Sequence, residues 1–204
     1  MKLKGISKKQ KEILEIVVKY GIPDNFYLAG GTALVIYFQH RYSDDFDFFG
    51  EEFDIEKMKV KINNLLKNEK INFKTLDEKE DTYIFLLNEV KVSFFKYLYP
   101  IIRPLKAVEG INIASIEDII AMKAVAIIQR GTRKDFFDIW HLIKEGYTIE
   151  KMISFAKEKY GDLFSPMIFL KALIYFEDAE KEQGFEFEWK EIKEFLIKEV
   201  KKLL

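Results

Sequence analysis

The chain has no cysteine, so neither a disulfide framework nor a thiolate metal site is available, and any metal must be held by carboxylate or imidazole. Imidazole is scarce as well: His40 and His141 are the only histidines, and two such residues without a partner ligand read as structural. Net charge is almost absent, since 33 Lys and Arg stand against 34 Asp and Glu. That balance argues against a strong nonspecific grip on nucleic acid. No apolar run approaches the ~18 residues of a membrane span. The opening MKLKGISKKQ lacks the apolar stretch of a signal peptide, which points to the cytoplasm. Arginine is sparse too, with Arg41, Arg103, Arg130 and Arg133 the only four among the 33 cations. Where Lys is the default cation, Arg marks a place that calls for a planar, two-pronged donor to carboxylate or phosphate. Two of the four, Arg41 and Arg130, fall inside the motifs described below.

What is present is ample apolar material, 49% of 204 residues, enough for one domain with a helical appendage. Ser7 with Gln10 makes a capping box before an apolar stripe, and predicts a helix over 8–20 that Gly21 ends. Residues 26–29 read as a short buried strand, and Gly30-Gly31 interrupts it. Thr32 then caps a helix that is apolar on every side, from Ala33 to Phe38. Residues 44–49 read as a strand, and Asp54 caps a mixed-charge helix over 55–67. Further strands are expected at 71–76, 82–87 and 90–97, the last two joined by a tight hairpin at Asn88-Glu89. The segment from Tyr99 to Pro104 breaks the pattern and is read as the end of the sheet. Beyond Ser115 helices are expected over 116–129, 134–145, 149–160, 166–181 and 188–203. The expected fold is α+β, a small mixed sheet flanked by helices followed by a C-terminal helical bundle, with the division at about residue 110.

Two features carry chemistry. On a strand Asp45 and Asp47 point one way while Phe46 and Phe48 point the other. Two acids about 7 Å apart on one strand face repel unless a cation bridges them, and Mg²⁺ suits hard oxygen ligands while staying open to phosphate and water. A lone Asp-x-Asp is common and reads equally as exposed acids on an edge strand. Its place matters more: it follows a strand, Gly30-Gly31-Thr32 and a buried helix. Glycines at a helix start let backbone N–H groups approach an anion with the positive helix end behind them. That order puts phosphate and metal ligands on neighbouring strands, as phosphoryl and nucleotidyl transfer require.

The stretch from Leu28 to Leu34, with Gly30-Gly31-Thr32, followed by the stretch from His40 to Phe49, with Asp45 and Asp47, resembles the AbiEii/AbiGii toxin group of the nucleotidyltransferase superfamily. A third family motif, Lys-x-x-Ala-x-x-x-Arg, is met by Lys123, Ala126 and Arg130. A fourth, Asp-x-x-Asp, is met by Asp135 and Asp138. The four cover about residues 28 to 140. The resemblance implies that residues 1–110 form a nucleotidyltransferase-like lobe and that 111–204 form a helical lobe contributing to the active site. It implies a nucleoside triphosphate as substrate with Mg²⁺ or Mn²⁺ bound by Asp45 and Asp47. Gly30, Gly31 and Thr32 would hold the triphosphate and Arg41 would assist. Lys123 would contact the phosphates, and Asp138 would act as base towards the acceptor hydroxyl with Asp135 and Arg130 in support. The acceptor would be an RNA or tRNA end or a protein, the biological role that of a toxin beside a cognate antitoxin, and no membrane is involved.

One departure stands out. Where many nucleotidyltransferases carry a third acid on a later strand, the expected inward position here holds Ser93, which cannot replace a carboxylate as base or strong metal ligand. Three alternatives stay open: Asp138 takes the base role, the second metal is weakly held, or transfer is slow. Glu89 is a more remote candidate for the missing acid. Two competing functions follow, a nucleotide-binding regulatory module with little turnover and a metal-dependent phosphodiesterase that uses the same acid pair.

Overall fold

The computed structural model describes residues 3–204, apart from the side chain of Phe187. The chain folds into two compact units, one of residues up to Pro100 with Pro104–Ser115, the other of Ile101–Arg103 with Ile116–Leu204.

The first unit is built on a seven-stranded mixed sheet. Its elements in chain order are α1 (Lys8–Lys19), β1 (Tyr27–Ala29), α2 (Gly30–Phe38), β2 (Phe46–Gly50), α3 (Ile55–Asn68), β3 (Phe73–Lys79), β4 (Thr82–Leu87), β5 (Val90–Lys96), β6 (Lys106–Val108) and β7 (Ile111–Ile113). The spatial order is β3-β4-β5-β2-β1-β7-β6. β2 pairs antiparallel with β1 and parallel with β5, and β7 runs parallel to β1. The α1 capping box forms as the sequence predicts, the Ser7 hydroxyl accepting from Gln10 N and the Gln10 side chain accepting from Ser7 N. At the β4–β5 hairpin Asn88 and Glu89 both take positive φ, the geometry of the tight turn that matches strand twist.

The sheet does not end at the 99–104 segment. β6 and β7 extend it, joined through Glu109 and Gly110, which both have positive φ. Strands of three residues are too short to show an alternating pattern, which is why sequence periodicity passes over them. One sheet face is an aromatic layer: Phe46, Phe48, Phe85 and Phe94 are all fully buried, with Phe48 and Phe94 stacked at 5.0 Å. Full burial of one such side chain stabilises by about 1.5–3 kcal/mol, so this layer fixes the pairing of β2 with β5. The fixed pairing in turn holds Asp45 and Asp47 on the opposite face.

The second unit contains α4 (Ile116–Gln129), α5 (Arg133–Lys144), α6 (Ile149–Tyr160), α7 (Pro166–Ala172) and α8 (Glu186–Lys201). α4 buries Ile119, Ile120, Ala121, Ala124 and Ile127 and contacts α5, α6 and α7. A helix apolar on most sides belongs in the middle of a bundle. The expected long helix over 166–181 is shorter than predicted, ending at Ala172. Arg133 explains part of the difference, because its guanidinium binds the carbonyls of Ala179, Glu180 and Gly184 and holds that stretch as a separate, tight 3-10 turn over Ala179–Lys181 instead of a continuation of α7. No described helix is long and apolar enough to cross a membrane.

Candidate active site

β1 passes into α2 with no residue between them, and the sharp change of direction falls on Gly30, whose φ is +69°. Only glycine takes that conformation without strain. Space is also limited at both glycines. A Cβ on Gly30 would sit 3.3 Å from Asp47 Oδ2, and one on Gly31 would collide with Arg41 Nη2. The first helical turn is therefore flanked by a carboxylate on one side and a guanidinium on the other. No side chain caps this end of α2, and the first amides of any helix lack intrahelical partners. Their positive end is a natural seat for an anion.

The expected capping role of Thr32 is not what forms. Because α2 begins at Gly30, Thr32 is its third residue, and its buried hydroxyl bonds to Ser43 Oγ at 2.7 Å and to the carbonyl of Asp45. Gln10 adds a third tie, donating to the carbonyl of Ser43 at 2.7 Å. These bonds pin the segment that carries Arg41 and Asp45 against α1 and α2. Arg41 also donates to the carbonyl of Tyr42.

Asp47 lies within β2, opposite Ala29 of β1 and Ser93 of β5. Asp45 stands immediately before the strand. The burial alternation along β2 is as expected, phenylalanines covered and Asp47 and Phe49 partly open. The Asp45 carboxylate is met by Lys91 Nζ at 2.7 Å, and the two side chains are 40% and 37% exposed. Lys91 was not identified from the sequence. It shares a face with Ser93 by simple alternation, but sequence alone does not give the register between β5 and β2. Ser93 does occupy the inward position expected for a third acid, and its buried hydroxyl has no hydrogen-bond partner.

The remaining expected site residues gather in the helical unit. Lys123 Nζ lies 2.8 Å from Asp135 Oδ1 and 2.6 Å from Asp138 Oδ2, and all three side chains are at most 4% exposed. Arg130, mostly exposed, reaches back to grip Asp135 with Nε at 2.8 Å and Nη2 at 3.1 Å. Thr132, the cap of α5, accepts from Asp135 N and donates to Asp135 Oδ2. Burial pushes the Asp135 carboxyl up, but the Lys123 charge and the Arg130 hydrogen bonds outweigh it and hold the group well below the usual carboxylate range. Burial pulls Lys123 down, and Asp138 and Asp135 together raise it above the ordinary lysine value. Both stay charged at neutral pH.

Comparison with known proteins places this arrangement. The chain is 44% identical over 211 residues to an uncharacterised protein of Aquifex aeolicus (strain VF5), covering 99% of both. Two solved structures share its fold: JHP933 from Helicobacter pylori, at 19% identity with a TM-score of 0.60, covers 97% of this chain and 94% of its own. MenT4, a nucleotidyltransferase toxin from Mycobacterium tuberculosis H37Rv, at 10% identity with a TM-score of 0.59, covers 92% and 83%. The family model for the nucleotidyl transferase AbiEii toxin of type IV toxin–antitoxin systems matches residues 12–202. A match over nearly the whole length decides the family: the chain belongs to the AbiEii toxins and is a nucleotidyltransferase.

Proposed function

We propose that this enzyme transfers a nucleoside monophosphate from a nucleoside triphosphate to a hydroxyl on an RNA or tRNA end or on a protein. In this reading it is a cytoplasmic toxin with a cognate antitoxin. The observation that carries the reading is the close approach at the start of α2, where Asp47 and Arg41 flank Gly30 and Gly31. A triphosphate seated there meets backbone amides, the helix end and a guanidinium fork.

The donors also suit a divalent metal. Asp45 and Asp47 offer two hard carboxylates on one strand face, and among the described residues no group of three or more potential ligands joins them. Mg²⁺ is commonly held by one or two carboxylates with phosphate oxygens and water completing its shell, so this donor set fits an ion that arrives with the nucleotide. When bound, such an ion neutralises charge developing on the phosphates. The reaction is attack by the acceptor oxygen on the α-phosphorus, with the bond to the β-phosphate breaking and pyrophosphate leaving. Gly30 and Gly31 seat the phosphates, Arg41 binds their oxygens, and Thr32 supports the site by holding the Asp45 segment.

In the same reading Lys123 contacts nucleotide phosphates and Asp138 takes the acceptor's proton, with Asp135 and Arg130 orienting Lys123. Lys123 and Asp138 are buried against each other, so either role requires that pair to part. The test is incubation with Mg²⁺, each labelled triphosphate and total cellular RNA and protein. Transfer of label that disappears in Asp47→Ala supports the reading. Tight triphosphate binding without transfer would replace it with a regulatory module, and shortening of RNA would replace it with a phosphodiesterase.

A further inference from the structure

Lys91 has no part in the reading above, yet its ammonium pairs with the first of the two acids, Asp45. β5 runs parallel to β2 with Ser93 opposite Asp47, and alternation puts Lys91 and Ser93 on the sheet face that carries the two acids. Lys91 Nζ is 2.7 Å from Asp45 Oδ2, and both side chains are more than a third exposed. An ion pair this open to water is cheap to separate. Beside Asp47, where a third carboxylate would complete a trio, stands the unpartnered hydroxyl of Ser93. β5 thus gives the acids one cation and one neutral group. A set with so little negative charge suits one divalent ion better than two, because each added cation must be balanced by nearby anions.

We propose that Lys91 serves as the second cation of the site. Without nucleotide it neutralises Asp45 and keeps metal affinity low. Once a triphosphate arrives, its ammonium turns to the phosphate oxygens, the place a second metal would otherwise take. The inference rests on Asp45 and Asp47 being the metal and nucleotide site. It separates two affinities that a purely structural lysine would leave unchanged or move together. Removing the charge frees Asp45 for a metal and takes a cation away from the triphosphate.

The experiment titrates purified protein with Mn²⁺, followed by electron paramagnetic resonance, and separately with a non-hydrolysable triphosphate. Lys91→Met is expected to bind Mn²⁺ about five- to tenfold more tightly in the absence of nucleotide, from the loss of one like charge beside the ion. Its affinity for the triphosphate falls about tenfold, the effect of one lost charge-assisted contact. Lys91→Arg, which keeps the charge, stays near the parent protein in both titrations. Shifts in the same direction, or none, would overturn the proposal, provided that Asp47→Ala weakens Mn²⁺ binding. If Mn²⁺ binding is indifferent to Asp47→Ala, the metal reading itself falls and the role of Lys91 falls with it.

Discussion

In the sheet unit Asp45 pairs with the ammonium of Lys91, and both side chains remain half-open to water. In the helical unit Asp135 is met by Lys123, Arg130 and Thr132 and is almost wholly covered. Asp118 repeats the second pattern: fully buried, it binds Lys159 at 2.8 Å and accepts from the backbone N–H groups of Ile102 and Arg103. Charges that are covered and fully hydrogen-bonded specify one arrangement of helices, and removing one partner leaves the other stranded in a poor solvent. Charges that stay open and sparsely paired hold little folding energy and remain able to bind. The contrast predicts that substitutions in the helical cluster show first in stability, and substitutions at the acid pair show first in activity.

The largest effect should come from breaking the helical cluster. Lys123→Met leaves Asp135 and Asp138 buried beside an apolar side chain, and is expected to lower unfolding free energy by about 3–5 kcal/mol. Urea denaturation checks this. A value within error of the parent protein would place Lys123 among the open charges instead. The same cluster sets an acid limb. Because the folded Asp135 carboxyl is held below its unfolded value, its contribution is complete above about pH 4 and is lost as pH falls through the folded value. Unfolding free energy measured from pH 6 to 3 should therefore fall less steeply in Asp135→Asn than in the parent protein. Parallel curves would contradict the assignment.

At the acid pair the comparison runs the other way. Asp47→Ala is expected to lower transfer at least about 100-fold while thermal stability barely moves, because it removes charge stabilisation of the reacting phosphates. A large drop in melting temperature would show that Asp47 holds the fold and not the substrate. A smaller effect is expected from Gly31→Ala, whose Cβ meets the mobile end of Arg41. The guanidinium can swing away, so folding survives, and KM for the triphosphate should rise about tenfold as its charge-assisted bonds are lost. An unchanged KM would separate Arg41 from the phosphates. Smallest of all is Glu158→Gln, which removes an exposed partner of Arg103. It should cost under about 1 kcal/mol in the same urea assay.

The acid pair and the glycine turn were legible in the sequence because their signals are local. Alternating Phe and Asp along β2, a glycine pair at the start of an apolar helix, and Ser7 with Gln10 at the start of α1 each announce themselves within a few residues. Helices α4 and α6 fall where apolar spacing puts them. What the sequence hid depends on contacts between distant segments. The hydroxyl of Thr32 turns to Ser43 and Asp45 instead of its own helix end. Lys91 reaches Asp45 only because β5 lies beside β2. The sequence marks Lys123 as a phosphate contact by family resemblance but does not show its burial, which follows from Asp135 and Asp138 on the next helix. β6 and β7 are too short to show a period at all.

Whether Asp45, Asp47 and the glycine turn carry out the nucleotidyl transfer is tested most directly by the position of the label. With Mg²⁺ and total cellular RNA and protein as acceptors, label in the α-phosphate should enter an acceptor and label in the γ-phosphate should leave in pyrophosphate, with both events absent in Asp47→Asn. Entry of γ-label into an acceptor, or α-label incorporation that persists in Asp47→Asn, would contradict the account.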